Sequence, residues 1–273
     1  MPTAREELAV GVVNGILYAV GGCCDGNGGP LNTVEAYNPA TDSWTTKAPM
    51  PTAREGLAVG VINGILYAVG GLGGSGTGYL NTLEAYNPAT DSWTTKAPMP
   101  TARYFLAAGV VNGILYAVGG YNRDSFHTLE AYNPATDSWT TKTPMPTARD
   151  GLAVGVVNGI LYAAGGARRH GVAKKVEAYN PATDTWSTKA PMPSARGYLA
   201  AGVVRGRLYA VGGLNEENRV DAYNAATDSW SAKTPMPTGR YRLAAGVVNG
   251  ILYAVGGDAN FSALNTVEAF NPR

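Results

Sequence analysis

Along the chain, short apolar runs alternate with polar stretches bounded by Gly and Pro. Leu8 to Val13 is followed by Asn14-Gly15, then by Ile16-Leu17-Tyr18-Ala19-Val20 and Gly21-Gly22. After a variable loop come Val34-Glu35-Ala36-Tyr37-Asn38-Pro39 and Asp42-Ser43-Trp44-Thr45-Thr46-Lys47. The runs are short and rich in Val, Ile and Tyr, so they read as strands. Asn-Gly between two such runs predicts a two-residue hairpin, because both central residues of a type I′ turn need positive φ. Pro39 bars the third run from continuing, so the chain is expected to turn there and re-enter as a fourth strand at the Trp.

This order recurs. Met-Pro-Thr-Ala-Arg opens at Met1, Met50, Met99 and Met145 and returns with one change at Met192 and Met236, at intervals of 49, 49, 46, 47 and 44 residues. Six units of four strands take up residues 1–273 as a single all-β domain of radially arranged antiparallel sheets. Gly21-Gly22, Tyr37 and Trp44, at these spacings, resemble the Kelch repeat, and the resemblance covers all six units. It implies a six-bladed Kelch-type β-propeller with four-stranded antiparallel blades. Ile-Leu-Tyr-Ala-Val-Gly-Gly stands unchanged at Ile16, Ile65, Ile114 and Ile251, which points to recent amplification of one blade or to construction from a consensus blade. The sixth unit reaches Phe270-Asn271-Pro272-Arg273 without an Asp-Ser-Trp segment. Blade 6 is therefore expected to lack its outer strand and to expose an edge open to weak self-association.

Composition narrows the function. With 45% hydrophobic and 15% charged residues and a net charge of +1, neither a charged disordered tail nor bulk attraction to nucleic acid or an anionic membrane is expected. No apolar run approaches the roughly 18 residues of a membrane helix. The amino-terminal residues lack a signal-peptide pattern, so a cytoplasmic location is the expectation.

Lettering the strands of each unit a to d, antiparallel alternation puts the d–a and b–c loops on one face and the a–b and c–d turns on the other. Most variation between units falls on the first face. It supplies a candidate partner-binding set: Glu6, Glu7, Tyr104, Phe105, Tyr121, Arg123, Asp150, Arg168, Arg169, Tyr198, Asn215, Tyr241, Arg242 and Phe261. Charge segregates across it, with Glu6, Glu7 and Asp25 in blade 1 opposite Arg168, Arg169, Lys174 and Lys175 in blade 4. Such a field orients a charged partner, and loop aromatics are common anchors. The Tyr18 and Tyr37 series and the five Trp are expected to pack between blades. The expected function is thus a non-catalytic module binding a protein or peptide, without cofactor; the alternative is an enzyme acting on a carbohydrate or small acid in the axial depression.

Chemical motifs add little. Gly71-Leu72-Gly73-Gly74-Ser75-Gly76 fits G-x-G-x-x-G, but another strand follows where a dinucleotide site needs a helix. His127 and His170 lie in loops with nothing fixing further ligands, so no metal is expected. The adjacent Cys23 and Cys24 read as an inert reduced pair. Neither the cysteine-linked tyrosine and paired histidines of copper radical oxidases nor the arginine triad of sialidase-type propellers is present, and Asn260-Phe261-Ser262 is a glycosylation sequon that means little without secretion. The repeat-start arginines, Arg5, Arg54, Arg103, Arg149, Arg196 and Arg240, form a candidate anion ring at the channel mouth. The competing expectation is that each bonds backbone carbonyls at its own blade junction.

Overall fold

Asn14 and Gly15 both have positive φ, at 50° and 78°, and join two paired strands by the tight turn their sequence calls for. The fifth blade makes the same turn with Arg205 (φ 50°) and Gly206 (φ 72°). The computed structural model describes residues 1–24, 28–215 and 217–272. In blade 1, strands a (Ala9–Val13), b (Ile16–Val20), c (Val34–Asn38) and d (Ser43–Lys47) follow one another across an antiparallel sheet. Blades 2 to 5 repeat it. Blade 6 has three strands, Ala244–Val248, Ile251–Val255 and Val267–Phe270, as expected. Each strand a touches strand a of both neighbouring blades, and the first touches the sixth, so the sheets close into a six-bladed ring.

Small residues at the centre of strand a make that ring tight. A Cβ on Gly11 would lie 2.8 Å from Leu66 Cδ1 of the next blade, so the Leu packs where a side chain would otherwise stand. Each junction buries a cluster from two blades; between blades 1 and 2 it includes Val20, Val34, Met50, Leu66 and Tyr86. The Tyr18 and Tyr86 rings meet across it at 5.8 Å. The inter-blade role expected of the Trp series holds: Nε1 of Trp93, Trp139, Trp186 and Trp230 donates to the backbone carbonyl of Ala48, Ala97, Thr143 and Ala190 in the preceding blade, at 2.8–2.9 Å.

The repeat-start arginines do not form an anion ring. All six have no exposed surface. Arg5 donates to the carbonyls of Gly21 (3.0 Å) and Thr33 (2.9 Å) and pairs with Glu35 at 2.8 Å. Arg54–Glu84, Arg103–Glu130, Arg149–Glu177, Arg196–Asp221 and Arg240–Glu268 repeat the pair. A guanidinium taken out of water needs both a countercharge and carbonyl acceptors, and strand c supplies the acid. The axial channel is instead walled by Val, Gly and Ala of the six strands a, around a cavity of about 310 Å³.

Candidate functional site at the axial mouth

The variable face is built from two positions in each blade, and their backbone geometry explains why these vary together. The residue after each repeat-start Arg makes a β-bridge to the residue after each Gly-Gly: Glu6 to Cys23, Tyr104 to Tyr121, Asp150 to Ala167, Gly197 to Leu214 and Tyr241 to Asp258, with Glu55 and Leu72 paired likewise. The next residue inward, Glu7, Gly56, Phe105, Gly151, Tyr198 or Arg242, has φ between 51° and 57° in every blade. These six residues bond to one another in a closed circle. The amide of Gly56 donates to the carbonyl of Glu7, Phe105 to Gly56, Gly151 to Phe105, Tyr198 to Gly151, Arg242 to Tyr198 and Glu7 to Arg242, at 2.7–2.9 Å.

Two of the six are glycines, and their neighbours fill the room. A Cβ on Gly151 would meet the Tyr198 ring at 2.6 Å. Phe105 packs edge-on against Tyr198, with centroids 5.0 Å apart, and Tyr104 packs on Phe105 at 4.1 Å. Tyr79 and Tyr121 extend the wall, lying 5.5 and 5.6 Å from Tyr104. Arg242 lies over the rings of Tyr198 (5.8 Å) and Tyr241 (5.3 Å), a cation–π arrangement.

Charge divides around this aromatic wall. On one side Arg242 reaches Glu6 and Glu7, each at 3.2 Å. Burial pushes the Glu7 carboxyl up to about 8 despite the attraction of Arg242. Burial also raises Glu6, with Arg242 opposing it and Asp258 adding to it, and burial raises Glu55. On the other side a cavity of about 640 Å³ between blades 3 and 4 is lined by Arg123, Arg168, Arg169, Asp150, Tyr104 and Tyr198, among others. The three arginines are exposed at its rim. Asp150 is buried; it accepts from Ser125 Oγ at 2.7 Å and Tyr198 Oη at 3.2 Å, and burial raises its pKa.

The expected set therefore gathers in large part. Glu6, Glu7, Tyr104, Phe105, Tyr121, Asp150, Tyr198, Tyr241 and Arg242 are linked contact by contact at the mouth, and Arg123, Arg168 and Arg169 border it. Two members stand outside. Asn215 is exposed and absent from the cavity lining, and Phe261 is 96% exposed with no ring contact. Asp25 lies outside the described residues. Glu55, Tyr79 and Asp258 belong to the site and were missing from the expected set; Glu55 and Asp258 occupy the same bridge positions as Glu6 and Cys23, so the repeat register was the signal. The expected free thiols are also corrected: Cys23 and Cys24 form a disulfide between adjacent residues. Cys23 Sγ lies within 4.8 Å of carboxylate oxygens of Glu7 and Glu55, but a sulfur bonded to sulfur offers a metal no thiolate.

A closed ring of six sheets, five of them four-stranded, with Gly-Gly, Tyr and Trp at fixed places and most variation on one face, defines a Kelch-type β-propeller. The chain belongs to the Kelch-repeat family: the KLHDC2/KLHL20/DRC7 Kelch-repeats domain matches it over residues 1–166 and 95–257. Among solved structures, one titled "Structure of YjhT" superposes with a TM-score of 0.85 over 98% of this chain and 95% of that one, at 19% identity. That likeness is one of fold. No helix among the described residues is long and apolar enough to cross a membrane.

Proposed function

We propose that the protein is a non-catalytic binding module whose mouth takes a protein or peptide partner. The observation that carries this reading is the aromatic wall Tyr79–Tyr104–Phe105–Tyr198, set on a hydrogen-bonded backbone ring between an acidic and a basic side. Rigid aromatics held at low entropic cost are good anchors, and opposite charges on either side fix the direction in which a bound segment lies. The test is partner capture by the chain and by a variant with Tyr104, Phe105, Tyr198 and Tyr241 all changed to Ala. Loss of the captured partner is expected; equal recovery by the two chains overturns the reading.

One observation favours the enzyme alternative, on a carbohydrate or small acid. Glu7, whose carboxyl burial pushes up to about 8, has a carboxyl oxygen within 4.8 Å of one from Glu55, and a close pair of carboxyls is what hydrolysis of a glycoside uses. Turnover of a glycoside that survives neither Glu7→Gln nor Glu55→Gln would establish it.

A further inference from the structure

On the acidic side of the mouth, blade 1 carries the two cysteines of the chain, bonded to each other. We propose that reduction of the Cys23–Cys24 disulfide uncovers a site for a thiophilic divalent cation, Zn²⁺ above all, held by both thiolates and by the Glu6 carboxylate. The site uses none of the aromatic residues on which the proposed binding function rests, so the two readings stand or fall separately.

Backbone geometry gathers the three side chains. Cys23 occupies the bridge position after Gly-Gly, where its counterparts are Leu72, Tyr121, Ala167, Leu214 and Asp258, so the frame itself requires no thiol there. Its amide donates to the carbonyl of Glu6 at 2.9 Å and the amide of Glu6 donates back at 3.3 Å, which sets the two residues opposite one another. A bridge to Pro30 holds Cys23 from its other side. In an extended chain the next side chain would point away. Cys24 instead has a φ of 72°, and its sulfur comes back beside that of Cys23. Both sulfurs and a carboxylate oxygen of Glu6 therefore lie within 4.8 Å of one another, and Cys23 Sγ is 3.9 Å from Glu6 Oε1. Donors on one tetrahedral Zn²⁺ stand roughly 3.3–3.8 Å apart, so the sulfurs have only to part and the oxygen to close in slightly.

Two further features favour a cation here. Glu6 is 6% exposed, and its Oε2 accepts no hydrogen bond among the described residues. The Asp258 carboxyl beside it brings another such oxygen, Oδ1, and no donor. A buried carboxylate oxygen without a donor is costly, and a bound cation removes that deficit. Charge also fits. Two thiolates and one carboxylate around a divalent ion leave a single negative charge, and Arg242, 3.2 Å from Glu6 Oε1, neutralises it.

Entry and gating follow from burial and redox chemistry. Cys23 is buried and Cys24 exposed, so one sulfur anchors the ion and the other meets it from solvent. A thiolate pair selects Zn²⁺ or Cd²⁺ over Mg²⁺ and Ca²⁺. Opening the S–S bond takes two electrons and two protons; a dithiol reductant supplies both and closes its own disulfide. The cation then displaces the two thiol protons to solvent. With the bond closed neither sulfur is a thiolate, and the site does not exist.

The test compares the full chain as the disulfide and after reduction by a phosphine, which takes oxygen from water, leaves as its oxide and brings no competing thiol. Co²⁺ is the spectroscopic probe and Zn²⁺ the competitor. The reduced chain is expected to bind Co²⁺ with a thiolate-to-metal charge-transfer band that Zn²⁺ abolishes and Mg²⁺ does not, and Zn²⁺ should raise its melting temperature. The disulfide form should show neither effect. Cys24→Ser and Glu6→Gln should each weaken Zn²⁺ binding to the reduced chain by at least about tenfold. Cys24 is exposed, so its variant keeps the test open should Glu6→Gln fold poorly. Co²⁺ uptake without the charge-transfer band, equal Zn²⁺ affinity of the reduced and disulfide forms, or unchanged affinity in a folded Glu6→Gln or Cys24→Ser chain would each overturn the proposal.

Discussion

Among the described residues, four junctions between blades are fastened at the outer rim by a Trp and an Asp, and two are not. At the junctions from blade 1 through blade 5, an indole and a carboxylate of one blade hold a single backbone residue of the blade before it. At the junctions flanking blade 6 the inner layers persist. Met1 donates its amino group to Asn265 as the amide of Met50 does to Asn32, and Arg5 donates its amide to Leu264 as Arg54 does to Leu31. Only the rim is open, and Trp44 Nε1 has no acceptor among the described residues. The difference separates closure from reinforcement: buried Arg–carboxylate pairs and strand a contacts shut the ring, and the outer strand stiffens it.

The largest effect should come from the clamp common to both kinds of junction. Arg103→Ala leaves the buried Glu130 without its cation and should cost about 3–5 kcal/mol by denaturant unfolding. Arg240→Ala should cost less, because water already reaches Glu268. Next, replacing Arg273 by Ala-Thr-Asp-Ser-Trp-Thr-Thr-Lys-Ala-Pro supplies the rim contacts beside blade 6; at about 1 kcal/mol per new hydrogen bond it should raise the melting temperature by about 4–8 °C. Calorimetry showing no rise would mean that the rim contributes nothing at these junctions. A finer test pairs two indoles. Trp139→Phe should cost about 1 kcal/mol for the bond to Ala97, and Trp44→Phe should leave stability unchanged.

The smallest effects are in pH. Asp91, Asp184 and Asp228 are held below the usual carboxylate range, first by their Tyr hydroxyls and then by the neighbouring backbone amide. A carboxylate lowered in the fold stabilises it above its unfolded pKa and loses that contribution as pH falls through its folded pKa, so the rim should loosen below about pH 4. Glu7 works in the opposite sense. Its folded value of about 8 exceeds the unfolded 4.5, so the folded state holds an extra proton between them and stability falls as pH rises through that window. Melting curves from pH 5 to 8.5 should flatten in Glu7→Gln.

The blades were legible because their signals recur: paired glycines after strand b in all six units, Asn-Gly at five of the six hairpins, and a Trp after the strand c turn in five units. At the mouth, Glu7, Phe105, Tyr198 and Arg242 were legible because they differ at one register position within a constant frame. Their left-handed backbone was not, since four of the six residues there have side chains and only Gly56 and Gly151 carry the usual signature. The arginines were read both ways for a physical reason. An Arg kept in every blade suits an exposed anion ring and a buried clamp alike, and only the depth of the strand c carboxylate distinguishes them. Phe261 drew attention by its type alone; no repeat position places it near the axis.

The circle of amides at the mouth has a consequence for what a ligand experiences. Each N–H···O=C bond in it points from one blade to the blade before, so the components of the six bonds that run around the loop cancel. A helix terminus aims unpaired N–H groups at whatever docks there; the six amides of this mouth are spent on one another. The potential along the axis is therefore set by side chains, and exchanging Glu7 and Arg242 for neutral residues would leave it to Glu6, Glu55, Asp150 and the rim arginines.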